Sequence, residues 1–328
     1  MRHCSCKTWM SPMNLRALRT FVTTVEMGGL GRACARLHLS QPAASRQIHA
    51  LEAELGLALF ERVGRRLQLT SDGEDLLNQS RRLLDDATAL LDQALSLKGG
   101  QIGTLRIGAT PHVIAGVLAP FLPRYRRRYH NVEVQLLEGG ATQQSTRLHR
   151  GEIHLAITPT GDERLHGRLL YPVYAFAVLR SERDSSKSRR QALEVASLAS
   201  KPVLLLRREF GSREWFDAAC AISHVRPQVR LESAAPQTLV ELAVAGYGVA
   251  IVPSTVSVSS DKVLVLPLVQ RGTPLGRWSM IAWNPQRYLP LYAQRFVDEL
   301  LAYVARHAPG QKFIRHAPVM PRPVDPGA

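Results

Sequence analysis

The sequence predicts a protein that is α/β overall: an N-terminal all-α winged helix-turn-helix, a long linker helix, then a two-lobed α/β domain. Three observations predict it. Two short amphipathic helical stripes separated only by His38, Leu39 and Ser40 run into a basic hairpin; Leu76, Leu83, Leu90 and Leu97 recur every seven residues; and from Gly103 onward short apolar runs alternate with helical segments. At 328 residues the chain exceeds one ordinary domain, and with 45% hydrophobic and 21% charged residues it has the make-up of a globular protein. No apolar run reaches the roughly 18 residues of a membrane span, and Met1 to Met10 lacks the apolar core of a secretory signal, so a cytoplasmic protein with no membrane partner is expected.

Met13 looks the more natural start, because Leu15, Leu18, Val22 and Val25 begin a helical stripe directly after it; residues 1–12 read as an N-terminal extension. Residues 13–70 form the expected DNA-binding domain. Leu30, Ala33, Cys34 and Leu37 make one short amphipathic helix. Ser40 is a good N-cap for the next, and Pro42 sits in its first turn, where a missing N–H costs nothing. In that second helix Ala44, Ile48, Leu51 and Leu55 line one face, while Pro42, Ser45, Arg46 and His49 fall on the other. Helix spacing alone suits an all-α core as well as a DNA reader. Leu59 to Thr70 favours the reader: it turns at Gly64, alternates at Leu67 and Leu69, and crowds Arg62, Arg65 and Arg66 at its tip, as a wing set against phosphates or the minor groove.

Residues 71–100 read as a dimerising linker helix. Ser71, Asp72, Gly73 and Glu74 form a capping box, the leucine heptads ask for a helical partner, and Gly99 and Gly100 end the helix. Residues 101–306 then carry the runs TLRIGA, VEVQLLE, IHLAIT, YAFAVLR, PVLLLRR, QVRLES and GVAIVP, which predict a largely parallel sheet or sheets. Stretches at Tyr171 to Ala177 and Leu264 to Gly276 suggest crossings between lobes, giving lobe I as about 103–174 and 275–306 and lobe II as about 175–274. Beyond His307 the proline-rich run predicts a disordered tail over 307–328.

In such sheets ligands sit beyond strand ends, against helix N-termini. Thr110 and Pro111 after TLRIGA, Ser212 and Arg213 after PVLLLRREF, and Ser233 at the end of QVRLES are the candidate effector contacts; Arg213 adds a cation able to pair with a carboxylate. The net charge of +15 points to anionic partners. Residues 13–70 hold 8 basic and 4 acidic side chains, whereas residues 99–306 hold 26 and 16, so much of the excess lies outside the helix-turn-helix and suits a small carboxylate effector or general attraction to DNA. Cys4, Cys6, Cys34 and Cys220 are too few and scattered for a disulfide framework or a four-ligand zinc site, and no phosphate loop, nucleophile elbow or HExxH appears. No catalytic residue, metal or cofactor is expected.

The run from Met13 to about Leu77 closely resembles the winged helix-turn-helix of LysR-type transcriptional regulators, in SQPAASRQI, LEAELGLALFER and LTSDG, in that order and spacing. A looser resemblance, through the leucine-rich helix to an effector domain like type II periplasmic binding proteins, extends to about residue 306. It implies a sequence-specific regulator of transcription controlled by a small-molecule effector, a homodimer or homotetramer on double-stranded DNA, with RNA polymerase a further candidate partner and no enzymatic activity. By the same resemblance Gln41, Pro42, Ser45 and Arg46 face the major groove, and Arg62, Arg65 and Arg66 belong to the wing. The chain departs from the family at Gly29 and Gly31, where a serine or threonine is usual. A solute-binding or enzymatic α/β protein is the alternative, since the second half alone resembles such folds.

Overall fold

A computed structural model describes residues 13–63, 66–97, 102–159, 162–181, 191–259, 261–315 and 317–323. The proposed extension 1–12, the wing-tip residues Gly64 and Arg65, and the glycines at 99 and 100 lie outside these. The chain divides into two compact units between Leu91 and Asp92.

In the first unit α1 (Leu15–Glu26), α2 (Leu30–Leu37) and α3 (Gln41–Leu55) precede the antiparallel strands β1 (Phe60–Val63) and β2 (Arg66–Leu69); α4 (Ser71–Leu97) follows, and the division falls in its last turns. The Asn14 side chain accepts from Arg16 N–H to start α1, and Ser40 Oγ accepts from Ala43 N–H to start α3. The chain leaves α2 through His38 in the left-handed region (φ 53°), which turns it sharply enough for α3 to begin three residues later. Ala17, Leu18, Phe21, Val22, Leu51 and Leu59 are buried together, and Phe21 meets Phe60 edge to face with centroids 5.6 Å apart. At the start of α4 the capping oxygen belongs to Thr70, one residue before the expected Ser71: its Oγ1 accepts from Gly73 N–H at 3.0 Å.

Glu52 fastens the end of α3 to the wing. Leu59 N–H and Phe60 N–H both donate to its Oε1, at 2.8 and 3.1 Å, and the Glu52 side chain is only 15% exposed. Glu52→Ala leaves two half-buried donors without an acceptor, so the first unit is expected to lose about 2–3 kcal/mol of stability, read from its unfolding transition in urea. Glu52→Gln keeps a carbonyl acceptor and should recover most of that loss.

The second unit holds β3 (Gly103–Ala109), α5 (Pro111–Val113) continuing through a π-helical turn (Ile114–Leu118) into α6 (Ala119–Arg128), β4 (Val132–Glu138), α7 (Ala141–Arg150), β5 (Leu155–Pro159) and β6 (His166–Arg180). Then come β7 (Leu193–Glu194), β8 (Pro202–Leu206), α8 (Gly211–Ile222), β9 (Gln228–Ser233), α9 (Pro236–Val244) and β10 (Val249–Pro253). The unit ends with β11 (Val263–Gln270), β12 (Thr273–Pro274), β13 (Gly276–Trp283), α10 (Leu291–Val304) and α11 (Gln311–Ile314).

Among the described residues its strands join in the order β4-β3-β5-β13-β6-β10-β8-β9, with β11 also on β6 and carrying β12 and β7. The parallel triplets β4-β3-β5 and β10-β8-β9 match the expected parallel pairing. What links them is antiparallel, which the largely parallel reading lacked: β13 runs against β5 and β6, and β10 and β11 run against β6. The fifteen-residue β6 belongs to both lobes, because Tyr174 pairs with Gly276 while Ala175 pairs with Pro253. Each lobe buries its own core, one around Phe121, Tyr125 and Phe296, the other around Phe176, Leu204 and Leu239.

The expectation of a disordered tail over 307–328 is corrected for the described part. Residues 311–314 form α11, and Met320 is 5% exposed within the lobe II core. Proline-rich composition predicted a solvated chain; Phe313 and Met320 supply the apolar anchors that hold it down. Residues 324–328 lie outside the described residues.

Candidate functional site

Two separate places gather the predicted site residues. The first is the solvent face of α3, where Gln41, Pro42, Arg46 and His49 are exposed and Ser45 is half-buried, while Ala44, Ile48 and Leu51 face the core. Their spacing on one helix keeps them on one side. His49 is not free: its Nδ1 lies 3.1 Å from Glu52 Oε2. Arg62 is exposed on β1, opposite Leu67 of β2. Arg66 pairs through its backbone with Val63; its side chain and Arg65 lie outside the described residues.

Beside this face the structure adds residues that the sequence reading missed. Arg16 and Arg19 are exposed along α1 and share a groove with Gln47 of α3, whose Oε1 accepts from Thr20 Oγ1 at 2.6 Å. Their signal was present, as two arginines three apart on the helix packed against α3. At the start of α2, Gly29 caps with φ 154° and no side-chain oxygen, so that helix offers backbone N–H groups alone.

The second place is a cleft open to solvent, whose wall includes Thr110, His112, Gly140, Ala141, Gly211 and Ser212. These residues sit at the starts of three helical segments: α5 with its continuation, α7 and α8. None of the three has a side-chain cap; Val113 N–H and Arg213 N–H turn back to the Thr110 and Phe210 carbonyls and Pro111 has no N–H, which leaves the N–H groups of His112, Ala141, Gly211 and Ser212 at the positive helix ends around one space. Apolar walls come from Val113, Ile157, Val173, Phe210 and Trp215. Glu209 stands at the rim, 61% exposed and 3.8 Å from Arg207, which offsets its charge.

Of the five predicted effector contacts, Thr110 and Ser212 line this cleft. Three do not. Pro111 is exposed at the first helical position and outside the cleft wall. Ser233 lies at the end of β9, where its Oγ accepts from Ala235 N–H in a local turn. Arg213 points inward: its side chain is 4% exposed, and it donates to Asp217, Glu232 and the Leu206 carbonyl. One residue after Ser212 on a helix is a rotation of about 100°, enough to move a side chain from the cleft to the core.

His112 was missed, although it directly follows the Thr110-Pro111 pair. Its Nε2 lies 3.1 Å from Thr110 Oγ1; among the described residues its buried Nδ1 has no hydrogen-bond partner, and neither has Thr255 Oγ1 across the cleft. Burial lowers the His112 pKa to about 4; burial, and then the Arg106 charge, lower that of His154 to about 3. Both are neutral in the folded protein near pH 7 and take up protons more readily when unfolded, at about 6.5. Their stabilising share is therefore complete above pH 6.5 and is lost as pH falls to about 4 for His112 and about 3 for His154. Unfolding free energies from urea titrations between pH 7 and 4.5 should fall with a slope of up to about 1.4 kcal/mol per pH unit for each histidine, and His112→Asn should remove one share.

Among the described residues no three His, Cys, Asp or Glu side chains gather as a metal site, and no helix is long and apolar enough to cross a membrane. Comparison with known proteins adds independent findings. The family model described as "Bacterial regulatory helix-turn-helix protein, lysR family" matches residues 15–74, and that of the "LysR substrate binding domain" matches residues 98–305. The chain is 31% identical over 255 residues to the HTH-type transcriptional regulator TfdS of Cupriavidus pinatubonensis, covering 75% of this chain and 84% of that protein. It is 30% identical over 261 residues to ClcR of Pseudomonas putida, covering 76% and 85%. In fold it is similar to full-length OxyR from Pseudomonas aeruginosa, with TM-score 0.69 and 22% identity over 95% of this chain and 99% of that one. It is also similar to full-length CbnR complexed with its target DNA, with TM-score 0.62 and 23% identity over 88% and 99%.

Proposed function

We propose that this chain, which belongs to the LysR family of bacterial helix-turn-helix transcriptional regulators, binds a small anion in the cleft of its effector domain and thereby changes how it holds DNA. The observation that carries the ligand class is the convergence of three uncapped helix starts, at Thr110, Gly140 and Phe210, on one cleft with apolar walls. Unpaired N–H groups and positive helix ends stabilise a carboxylate or another small oxyanion there, and the apolar wall takes its carbon skeleton. Thr110, Ser212 and His112 are the polar contacts in this reading. An effector that fits one lobe arrangement better than another shifts the balance between them, and linkage passes that preference to the DNA-binding unit.

On DNA, Arg46 suits guanine and Gln41 adenine in the major groove, with Pro42, Ser45 and His49 around them and Arg62, Arg65 and Arg66 reaching phosphates or the minor groove. Exposed Leu83, Leu90 and Leu91 on α4 are the expected seam of a homodimer, and a homotetramer is a pair of such dimers. The protein works in the cytoplasm, without turnover of its ligand, and RNA polymerase is the machinery it would meet at a promoter. No observation favours the solute-binding or enzymatic alternatives.

A thermal-shift panel on the purified full chain tests the ligand class, with small mono- and dicarboxylates, phosphate and their neutral amide or alcohol counterparts. Stabilisation by one or more anions, at about 2.7 kcal/mol for a hundredfold excess over Kd, and its loss in Ser212→Asp are expected. Stabilisation by neutral counterparts alone, or binding unchanged by the added carboxylate, would refute the reading.

A further inference from the structure

We propose that residues 310–315 and 317–323 form an internal brace across the back of the hinge between the two lobes and restrain their relative motion. The segment follows α10, whose Phe296 and Leu300 belong to the lobe I core. It then crosses to lobe II. Gly310 takes φ +73°, and a Cβ there would lie 2.9 Å from both Phe176 and Ser254. Lys312 Nζ donates to the Val258 carbonyl at 3.1 Å, and the Phe313 ring stands edge-on to Phe176 with centroids 5.7 Å apart.

From there the chain returns over the strands that join the lobes. Tyr174 is the last β6 residue paired with β13, and its Oη both accepts from Met320 N–H at 3.2 Å and lies 3.4 Å from the Pro318 carbonyl, to which it donates. Trp278 of β13 donates Nε1–H to the Pro321 carbonyl at 2.9 Å, and the Arg322 guanidinium lies 5.5 Å from the Trp278 ring centroid. Met320 itself is buried against Gly276, where any Cβ would collide with its Cε.

The placement relates this segment to the cleft. Val173, Thr255 and Ser279 line the cleft, while their immediate neighbours Tyr174, Ser254 and Trp278 touch the segment. Along the strands, adjacent side chains point to opposite faces, so one face of β6 and β13 meets the cleft and the other meets the brace. A rotation of the lobes about Tyr174 and Ala175 moves Phe176 and Val258 relative to Trp278, and the segment is fastened to all three. The matched family region ends at residue 305, before the brace begins. The brace is independent of what the cleft binds.

Hydrogen–deuterium exchange on the full chain, a chain ending after Pro309, Met320→Asp and Tyr174→Phe tests this. The reporter amides are Tyr174 N–H, bonded to Ser254 Oγ, and Ala175 N–H, bonded to the Leu275 carbonyl at the crossing. Shortening the chain or placing a carboxylate at 320 should speed exchange at residues 173–176 and 277–280 by about tenfold or more, with β3 and β8 unchanged. Tyr174→Phe, which keeps the ring and removes two hydrogen bonds, should raise it by a few-fold. Unchanged hinge exchange in the folded variants, or equal acceleration in β3 and β8, would overturn the proposal, the latter by making the segment a general stabiliser. Met320→Asp and Tyr174→Phe keep the test open if the shortened chain does not fold.

Discussion

Arg46→Ala is expected to weaken binding to a specific DNA site by about 10- to 100-fold, equivalent to about 1–3 kcal/mol for one bidentate base contact, and binding to random DNA by much less. Arg46 is exposed on α3 and has no ion pair among the described residues, so its removal costs the fold little. The loss would then report recognition rather than unfolding. Fluorescence anisotropy near 150 mM salt, on DNA from upstream of the gene and on random duplex, separates base reading from phosphate contact. Equal losses on both DNAs would make Arg46 a phosphate contact only. Gln47 is the useful neighbour for comparison: it is held by Thr20, so Gln47→Ala disturbs how α3 sits on α1 and should weaken both DNAs alike.

The helix-turn-helix was legible because local rules decide it. Ser40, Pro42 and the 3.6-residue stripe of Ala44, Ile48 and Leu51 specify the start and buried face of α3 without help from distant residues. The parallel strands were legible for a similar reason, since each is a short apolar run with turn residues on both sides. The antiparallel joints were not. Gly276–Trp283 is apolar enough to be a strand, but only its pairing with His166 to Tyr174 and with Ala156 to Pro159 makes it the seam of lobe I, and such long-range pairing leaves no local trace. The braced segment escaped for a related reason. Its composition is that of a solvated chain, while the groove that receives it is built from Tyr174, Phe176 and Trp278, more than 130 residues away for the first two and about 40 for the third.

Within the cleft, helix starts were legible and side-chain directions were not. Thr110 and Ser212 could be placed because a strand end followed by a helix start fixes where the backbone turns; His112 and Arg213, each one or two residues further, depend on which way the first helical turn faces. The two errors are opposite. A histidine passed over has a nitrogen that is unpaired among the described residues beside the cleft, and an arginine assigned to the cleft is held in the core.

Arg213→Ala decides between those roles. The guanidinium donates to Asp217 at 2.8 Å, to Glu232 at 2.6 Å and to the Leu206 carbonyl at 2.9 Å, tying the first turn of α8 to the ends of β8 and β9. Removing one partner of a buried ion pair commonly costs about 3–5 kcal/mol; here Asp217 and Glu232 are 44% and 43% exposed and regain water, so about 2–3 kcal/mol is expected. The ligand-free protein should therefore melt several degrees lower. Arg213→Lys keeps one charge but cannot span three acceptors in one plane, and should fall between alanine and the parent. Anion binding should weaken in proportion to that loosening, because Gly211 and Ser212 present their N–H groups from the turn that Arg213 holds. A variant that melts with the parent yet no longer binds any anion would return Arg213 to the ligand and would require its side chain to leave the core.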